Sequence, residues 1–118
     1  MAMTLDMAMI TVDCTDPQRL ARFWTAALGT EVAQDYGDYL FLKPASGSCM
    51  GFQRVPESRA GKNRVHLDFR ATDRPTEVSR LVGLGARELG EHSVPGLAWT
   101  VLADPEDNEF CVGMPTGS

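Results

Sequence analysis

The hydrophobic pattern of the first half of the chain predicts one helix among four strands. Between the first two strands, Asp16 is a typical helix N-cap, Pro17 suits the first helical turn and Gly29 suits the helix end. Runs of alternating apolar residues favour strands at 7–14, 30–37, 38–44 and 49–55. This half therefore has the order strand, helix and three strands.

The same order returns after a polar connection at 56–63. Asp73 is again a helix N-cap, and the helical pattern ends at Gly85. Strands are predicted at 64–72, 87–89, 97–104 and 109–114, with a turn at 104–108 before the last strand. His92 falls in a segment flanked by glycine and proline, which favours an exposed loop.

Aligning the two helix caps makes the repeat explicit. With Asp16 set against Asp73, Met9 falls opposite His66 and Asp13 falls opposite Arg70. At the other end, segment 51–55 matches 109–113, with Phe52 opposite Phe110. The chain is therefore predicted to be one α+β domain spanning 1–118, built from two tandem βαβββ modules at about 7–55 and 64–114. Their curved mixed sheets are expected to form a shared cleft.

Composition narrows the class of protein. The 118 residues suit one domain, and 43% apolar with 23% charged residues is the balance of a folded chain. A net charge of −5 without a basic stripe argues against a nucleic-acid partner. The absence of a long apolar run argues against a membrane partner, and the N-terminus lacks a secretory pattern. A cytoplasmic protein is expected.

The residues that can carry chemistry are few. The three cysteines form no CxxC pair and are expected to be free thiols, while only two histidines are present. His66 and Asp68 alternate with Leu67 along the predicted fifth strand, so both belong to one face. Motifs for nucleotide binding and for acyl transfer are absent from the sequence.

Three segments carry a resemblance to a known superfamily. They are ITVDCTDPQRLARFWTAALG at 10–29, NRVHLDFRATD at 63–73 and WTVLADPEDNEFCV at 99–112. The chain resembles the vicinal oxygen chelate superfamily, with its glyoxalase, bleomycin-resistance and dioxygenase members, and within it a glyoxalase-like subgroup. The resemblance spans nearly the whole chain and implies paired βαβββ modules. It does not select one activity, because the superfamily hosts many chemistries.

The resemblance also implies where a metal site would lie. Metal-using members place ligands on the first and last strands of each module, which here gives Met9, Gln53, His66 and Cys111. Met9 is a poor ligand for a hard divalent ion, and a cysteine stands where a carboxylate is usual. We therefore favour no metal. If one binds, the candidate ligands are Gln53, His66, Glu109 and Cys111, and the candidate ions are zinc, manganese, nickel and iron.

The same positions are candidates for binding or acid–base chemistry. His66 and Glu109 are the candidate catalytic residues, and Asp13 and Arg70 are predicted to form an ion pair across the repeat axis. Flat aromatic side chains in a cleft suit a planar hydrophobic ligand. The candidate ligand-binding residues are Met9, Asp13, Gln53, His66, Asp68, Arg70, Trp99 and Cys111.

Three functions remain open at this stage. The first, which we favour, is a metal-free protein that binds a small hydrophobic or planar molecule, as in sequestration or resistance. The second is a metal-dependent lyase, isomerase or dioxygenase with an atypical ligand set. The third is a metal-free acid–base enzyme that uses His66. A homodimer is expected in each case, because the modules of one chain bury a modest core.

Overall fold

The structure is a computed structural model that describes residues 8–45, 47–58, 60–61, 63 and 65–115. The chain forms two compact units that divide after Ser58. The first unit contains β1 Ile10–Cys14, α1 Pro17–Leu28, β2 Val32–Asp35, β3 Tyr39–Leu42 and β4 Met50–Arg54. The second contains β5 Leu67–Arg70, α2 Arg74–Leu84, β6 Arg87–Val94, β7 Leu97–Ala103 and β8 Glu109–Pro115. The predicted strand–helix–three-strand order is confirmed in both.

Each unit is a four-stranded mixed sheet with one helix. The strand orders are β1-β4-β3-β2 and β5-β8-β7-β6. In both sheets the first and last strands of the unit pair in parallel, and the remaining pairs are antiparallel. The α+β class and the tandem modules are thereby confirmed. A cleft shared by the two sheets, and an ion pair between Asp13 and Arg70, concern the placement of one unit against the other and stay predictions.

The helices begin and end where the sequence predicts. The Asp16 carboxylate accepts a hydrogen bond from the Arg19 backbone N–H at 3.1 Å, and the Asp73 carboxylate does the same for Thr76 at 3.2 Å. Each cap satisfies a backbone donor that the first helical turn leaves without a partner. Gly29 ends α1 with φ 67°, a left-handed conformation that glycine adopts without strain.

One face of each sheet is buried against its own helix. Because strand side chains alternate, the core residues Met50 and Phe52 of β4 share one face of their sheet, as do Phe110 and Val112 of β8. The opposite face of the second sheet carries mostly exposed and half-buried side chains, with Cys111 as a buried member. The principal core side chains are Leu20, Phe23, Trp24, Leu40, Leu42 and Phe52 in the first unit and Val78, Leu81, Leu102, Phe110 and Val112 in the second.

The sheet register corrects the alignment of the repeat by two residues. Ile10 pairs with Met50, whereas its counterpart Leu67 pairs with Phe110. Segment 49–53, and not 51–55, is therefore the structural equivalent of 109–113. Phe52 and Phe110 are both core residues, but they are not equivalent to each other. The composition of the two strands favoured the wrong match, since both contain one phenylalanine.

The predicted loop around His92 is a strand. β6 runs through Arg87–Val94 and pairs with β7 up to the hairpin turn. The register shifts between Glu88 and Gly90, a bulge that places one extra residue in β6. This bulge interrupts the apolar alternation, and a glycine inside a strand is a typical marker of it. His92 is exposed as predicted.

The turn before β8 is fixed by a buried aspartate. Asp104 is 3% exposed, and its carboxylate accepts hydrogen bonds from the backbone N–H groups of Glu106 at 2.8 Å and Asn108 at 3.0 Å. The Asn108 side-chain amide donates to the same carboxylate. These bonds let the chain reverse and begin β8 at Glu109. In the described part of the chain, neither helix is long and apolar enough to cross a membrane.

Candidate functional site

The face of the second sheet that α2 leaves uncovered holds a cavity of about 740 Å³. We call this surface the open face. The open face contains the even-numbered residues 66–70, in and just before β5, and odd-numbered residues of β7 and β8, because side chains alternate between the two faces of a strand. Its polar and aromatic members include His66, Asp68, Arg70, His92, Trp99, Glu109 and Cys111, and its small or aliphatic members include Leu97, Val101 and Gly113.

Three potential ligand groups meet at one end of the open face. Asp68 and Cys111 are direct cross-strand partners on β5 and β8. The imidazole Nε2 of His66 lies 3.4 Å from Asp68 Oδ1, and the nitrogen, carboxylate and sulfur atoms of the three residues all lie within 4.8 Å of one another. The predicted shared face of His66 and Asp68 is thereby confirmed, and Cys111 joins them. Asp68 is the member that links the other two.

The Cys111 thiol is held in its neutral form. Burial raises its pKa from 9.0 to about 11, with further contributions from the charge of Asp68, its hydrogen bond to Asp68 and the charge of Glu109. A thiol with this pKa is almost fully protonated near pH 7, so it is a hydrogen-bond donor and a poor nucleophile. The same carboxylates make this end of the open face acidic.

The other end of the open face is aromatic and basic. His92 and Trp99 are cross-strand partners, and their rings stack with centroids 5.6 Å apart and an interplanar angle of 28°. Gly113 lies between Trp99 and Arg70 in the register and contributes no side chain. A slot about two strand spacings wide, roughly 10 Å, therefore separates the indole from the guanidinium-bearing strand.

The equivalent positions in the first unit carry no such cluster. Met9 is the counterpart of His66, and the corrected register makes Gly51 the counterpart of Cys111. The Met9 sulfur lies 2.5 Å from the point where a Gly51 Cβ would stand, so the thioether fills the space that a side chain would need. Gln53 pairs with Asp13, and these two correspond to Gly113 and Arg70. Ligand binding by Met9, Asp13 and Gln53 stays a prediction.

The sequence profile of the glyoxalase-like domain matches residues 9–113 of the chain. The match includes both modules and every residue of the open face. The chain belongs to the glyoxalase-like domain family. A search of curated proteins found no significant match.

Solved structures support the same fold. A glyoxalase/bleomycin resistance protein/dioxygenase family enzyme from Burkholderia phytofirmans aligns with TM-score 0.82 and 17% identity, covering 95% of this chain and all of its own. FosX, a fosfomycin resistance protein of Listeria monocytogenes, gives TM-score 0.79 and 14% identity, covering 98% and 97% of the two chains. Lactoylglutathione lyase of Agrobacterium tumefaciens gives 0.70 and 21%, covering 92% of each. At these identities the likeness establishes the fold alone.

Three side chains of this glyoxalase-like domain form a group that could hold a metal ion. A FosX variant from Listeria monocytogenes was solved with Mn(II) and a dihydroxypropylphosphonic acid. In the present chain, His66, Asp68 and Cys111 offer an imidazole, a carboxylate and a thiol within 4.8 Å. This set fits zinc, which accepts all three donor types. It differs from the predicted set by including Asp68, which the sequence analysis had assigned to ligand binding only.

Two features of the glyoxalase-like site were missed by sequence reasoning. The first is His92, whose part in the aromatic wall was hidden by the bulge in β6. The second is the pairing of Asp68 with Cys111, which depends on the register of two strands that lie far apart in the chain. Gly90 is the sequence signal that could have revealed the position of His92, because a glycine inside a strand often marks a bulge.

Proposed function

We propose that this glyoxalase-like protein binds a small planar molecule on its open face and does so without a metal. The observation that carries the proposal is the stacked His92–Trp99 pair, which forms one wall of the 740 Å³ cavity next to the bare backbone at Gly113. A flat ligand resting in this slot gains contact with the indole and loses little conformational entropy. Sequestration of a toxic or reactive compound is the corresponding physiological role, exercised in the cytoplasm.

The state of the acidic end supports binding without a metal. Asp68 already accepts from the Cys111 thiol and lies next to His66, so the three groups satisfy one another. A metal would have to displace the thiol proton, whose pKa is about 11. The neutral thiol donates a hydrogen bond, the His66 ring offers its nitrogen atoms, and the carboxylates accept hydrogen bonds. That combination orients a polar ligand and needs no ion.

A thermal-shift screen of planar aromatic compounds against matched saturated analogues tests the proposal. We expect planar compounds to raise the melting temperature, and we expect the effect to disappear in Trp99→Leu. Val82→Ala, an exposed position on α2 outside the open face, is the matched control and should keep every hit. Hits that persist in Trp99→Leu, or saturated analogues that bind equally well, would contradict the proposal.

A second candidate function is metal-dependent catalysis, and the compact grouping of His66, Asp68 and Cys111 favours it. These three residues would hold the ion, which supplies Lewis-acid chemistry when bound. Glu109, on the same face, would then be available to move a proton. The test is cobalt(II) binding followed by the thiolate absorption band. His66→Ala and Asp68→Asn should both lose this band, while His92→Ala should keep it. A stoichiometric ion in the purified wild type would replace the metal-free proposal.

We also propose that the protein is a homodimer. The exposed apolar side chains Val94 and Leu97 flank the β6–β7 hairpin turn of the second unit. Clustered exposed apolar residues are more common at protein interfaces than on isolated surfaces. Light scattering coupled to gel filtration measures the mass directly, and Val94→Ser combined with Leu97→Ser should shift a dimer toward the monomer. A monomeric wild type across the micromolar range would contradict this proposal.

A further inference from the structure

Two charged side chains of opposite sign line the open-face cavity and have no partner among the described residues of the second unit. Within the described part of the second unit, neither the Arg70 guanidinium nor the Glu109 carboxylate forms a hydrogen bond or ion pair. Several other surface charges of the same unit are paired, as Arg87 is with Asp107 and Arg80 with Glu77. Unpaired charges that line a cavity are available to a ligand.

These two charges lie at opposite ends of the cavity. Arg70 is the cross-strand partner of Gly113, beside the slot that Trp99 walls. Glu109 is four residues earlier on β8, which corresponds to about 13 Å along the strand. Asp68 stands between them on the neighbouring strand, two residues and about 6.6 Å from Arg70. The surface beside β8 is therefore basic at Gly113, where Arg70 lies on the neighbouring strand, and acidic at Glu109. The Cys111 thiol lies between these two ends.

We infer that the open face binds an amphoteric planar molecule, with its anionic group at Arg70, its ring on the Trp99 wall and its cationic group at Asp68 and Glu109. The inference rests on the proposed planar-ligand function and specifies the class of ligand. A carboxylate or phosphate accepts a charge-assisted bond from the guanidinium, and an ammonium donates to the two carboxylates.

Four naphthalene probes separate the parts of the inference. They are 6-(aminomethyl)-2-naphthoate, 2-naphthoate, 2-naphthylmethylamine and the uncharged 2-naphthylmethanol. Binding is followed by ¹H–¹⁵N NMR titration of the full chain, in which the indole signal of Trp99 reports the open face. Trp24 is 3% exposed in the core of the first unit and gives an internal control signal. We expect the amphoteric probe to bind at least about tenfold more tightly than either singly charged probe.

Charge variants assign each end of the ligand. Arg70→Ala should remove the advantage of the carboxylate, so that the amphoteric probe and the amine bind alike. Glu109→Gln should weaken the binding of both probes that carry an ammonium group, relative to the uncharged probe. The matched controls Arg80→Ala and Glu77→Gln change the net charge equally, but from α2 and outside the lining of the cavity, and should leave the order of the probes unchanged.

The outcomes distinguish this inference from the proposed function. If all four probes shift the Trp99 signal with affinities within about threefold of one another, planar binding stands and the amphoteric preference is overturned. The preference is also overturned if it survives in Arg70→Ala. If no probe moves the Trp99 signal, the proposed planar-ligand function fails along with it.

Discussion

Asp68 and Cys111 face each other across β5 and β8, and burial of the thiol together with the charge and hydrogen bond of this aspartate raises the pKa of Cys111 to about 11. The pair brings together two residues that are 43 positions apart in the chain, and it sits beside His66 on the open face. The Asp68 carboxylate thus accepts a hydrogen bond from the Cys111 thiol and also lies 3.4 Å from the His66 imidazole. Removing this carboxylate is expected to change the pKa of Cys111 more than the packing of the site, because the Asp68 side chain is exposed.

The pH dependence of Cys111 alkylation measures this relationship. In a background with Cys14→Ala and Cys49→Ala, the iodoacetamide reaction should be slow below pH 9 and should rise toward a midpoint near pH 11, because only the thiolate reacts. Asp68→Asn removes the negative charge and replaces one carboxylate oxygen by an amide NH₂ group, so the midpoint should move to lower pH. Glu57→Gln, an exposed position of the first unit, removes the same charge and should leave the midpoint unchanged. An unaltered midpoint in Asp68→Asn contradicts the assignment.

Filling the slot at Gly113 should block ligand binding without unfolding the protein. A Cβ at this position would meet its nearest atoms, in Leu97, Ala98 and Trp99, at 3.7 Å, which is ordinary contact. Gly113→Ala should therefore fold with a stability within about 1 kcal/mol of wild type. Gly113→Leu projects a larger group over the slot and should weaken any planar hit from the screen by at least about tenfold.

The control for this prediction adds the same side chain elsewhere. Gly83→Leu lies on α2, where an added Cβ meets nothing within 4 Å, and it should leave ligand affinity unchanged. Calorimetric titration of both leucine variants compares them directly. Equal affinity in Gly113→Leu and wild type would place the ligand outside the slot.

The two module cores should be about equally sensitive to truncation. Phe52 and Phe110 are 0% and 1% exposed, so Phe52→Ala and Phe110→Ala should each lower the free energy of unfolding by about 3–5 kcal/mol through lost contacts and a cavity. Urea denaturation followed by circular dichroism measures both. Leu89→Ala removes an apolar side chain that is 45% exposed and should cost less than about 1 kcal/mol. A loss below that value in either phenylalanine variant contradicts its burial.

The buried carboxylate of the 104–108 turn should be a major local contributor to stability. Asp104→Ala leaves the backbone N–H groups of Glu106 and Asn108 without their acceptor, and should cost about 2–4 kcal/mol. Asp107→Asn, in the same turn but exposed, removes the charge of a surface ion pair with Arg87, keeps a residue type that tolerates the left-handed φ of 66°, and should cost less than about 1 kcal/mol. Similar unfolding midpoints for these two variants would argue against the role assigned to Asp104.

Local signals were sufficient for much of the fold. The caps Asp16 and Asp73 and the helix ends at Gly29 and Gly85 lie where the residue types predict them, because capping depends on atoms within a few residues. Alternation around His66 correctly placed Asp68 on its face. It failed at β6, where one bulged residue reversed the alternation before His92.

The sequence by itself determined the repeated order of elements, the helix ends and the family to which the chain belongs. Only the tertiary structure decided which residues of the last strands are equivalent, since a shift of two residues preserves every inward and outward position and leaves the hydrophobic pattern unchanged. It also decided that Asp68 meets Cys111 and that Met9 covers Gly51. Such pairings are set by hydrogen bonds between strands that are distant in sequence. The hydrophobic pattern along a single strand therefore does not predict them.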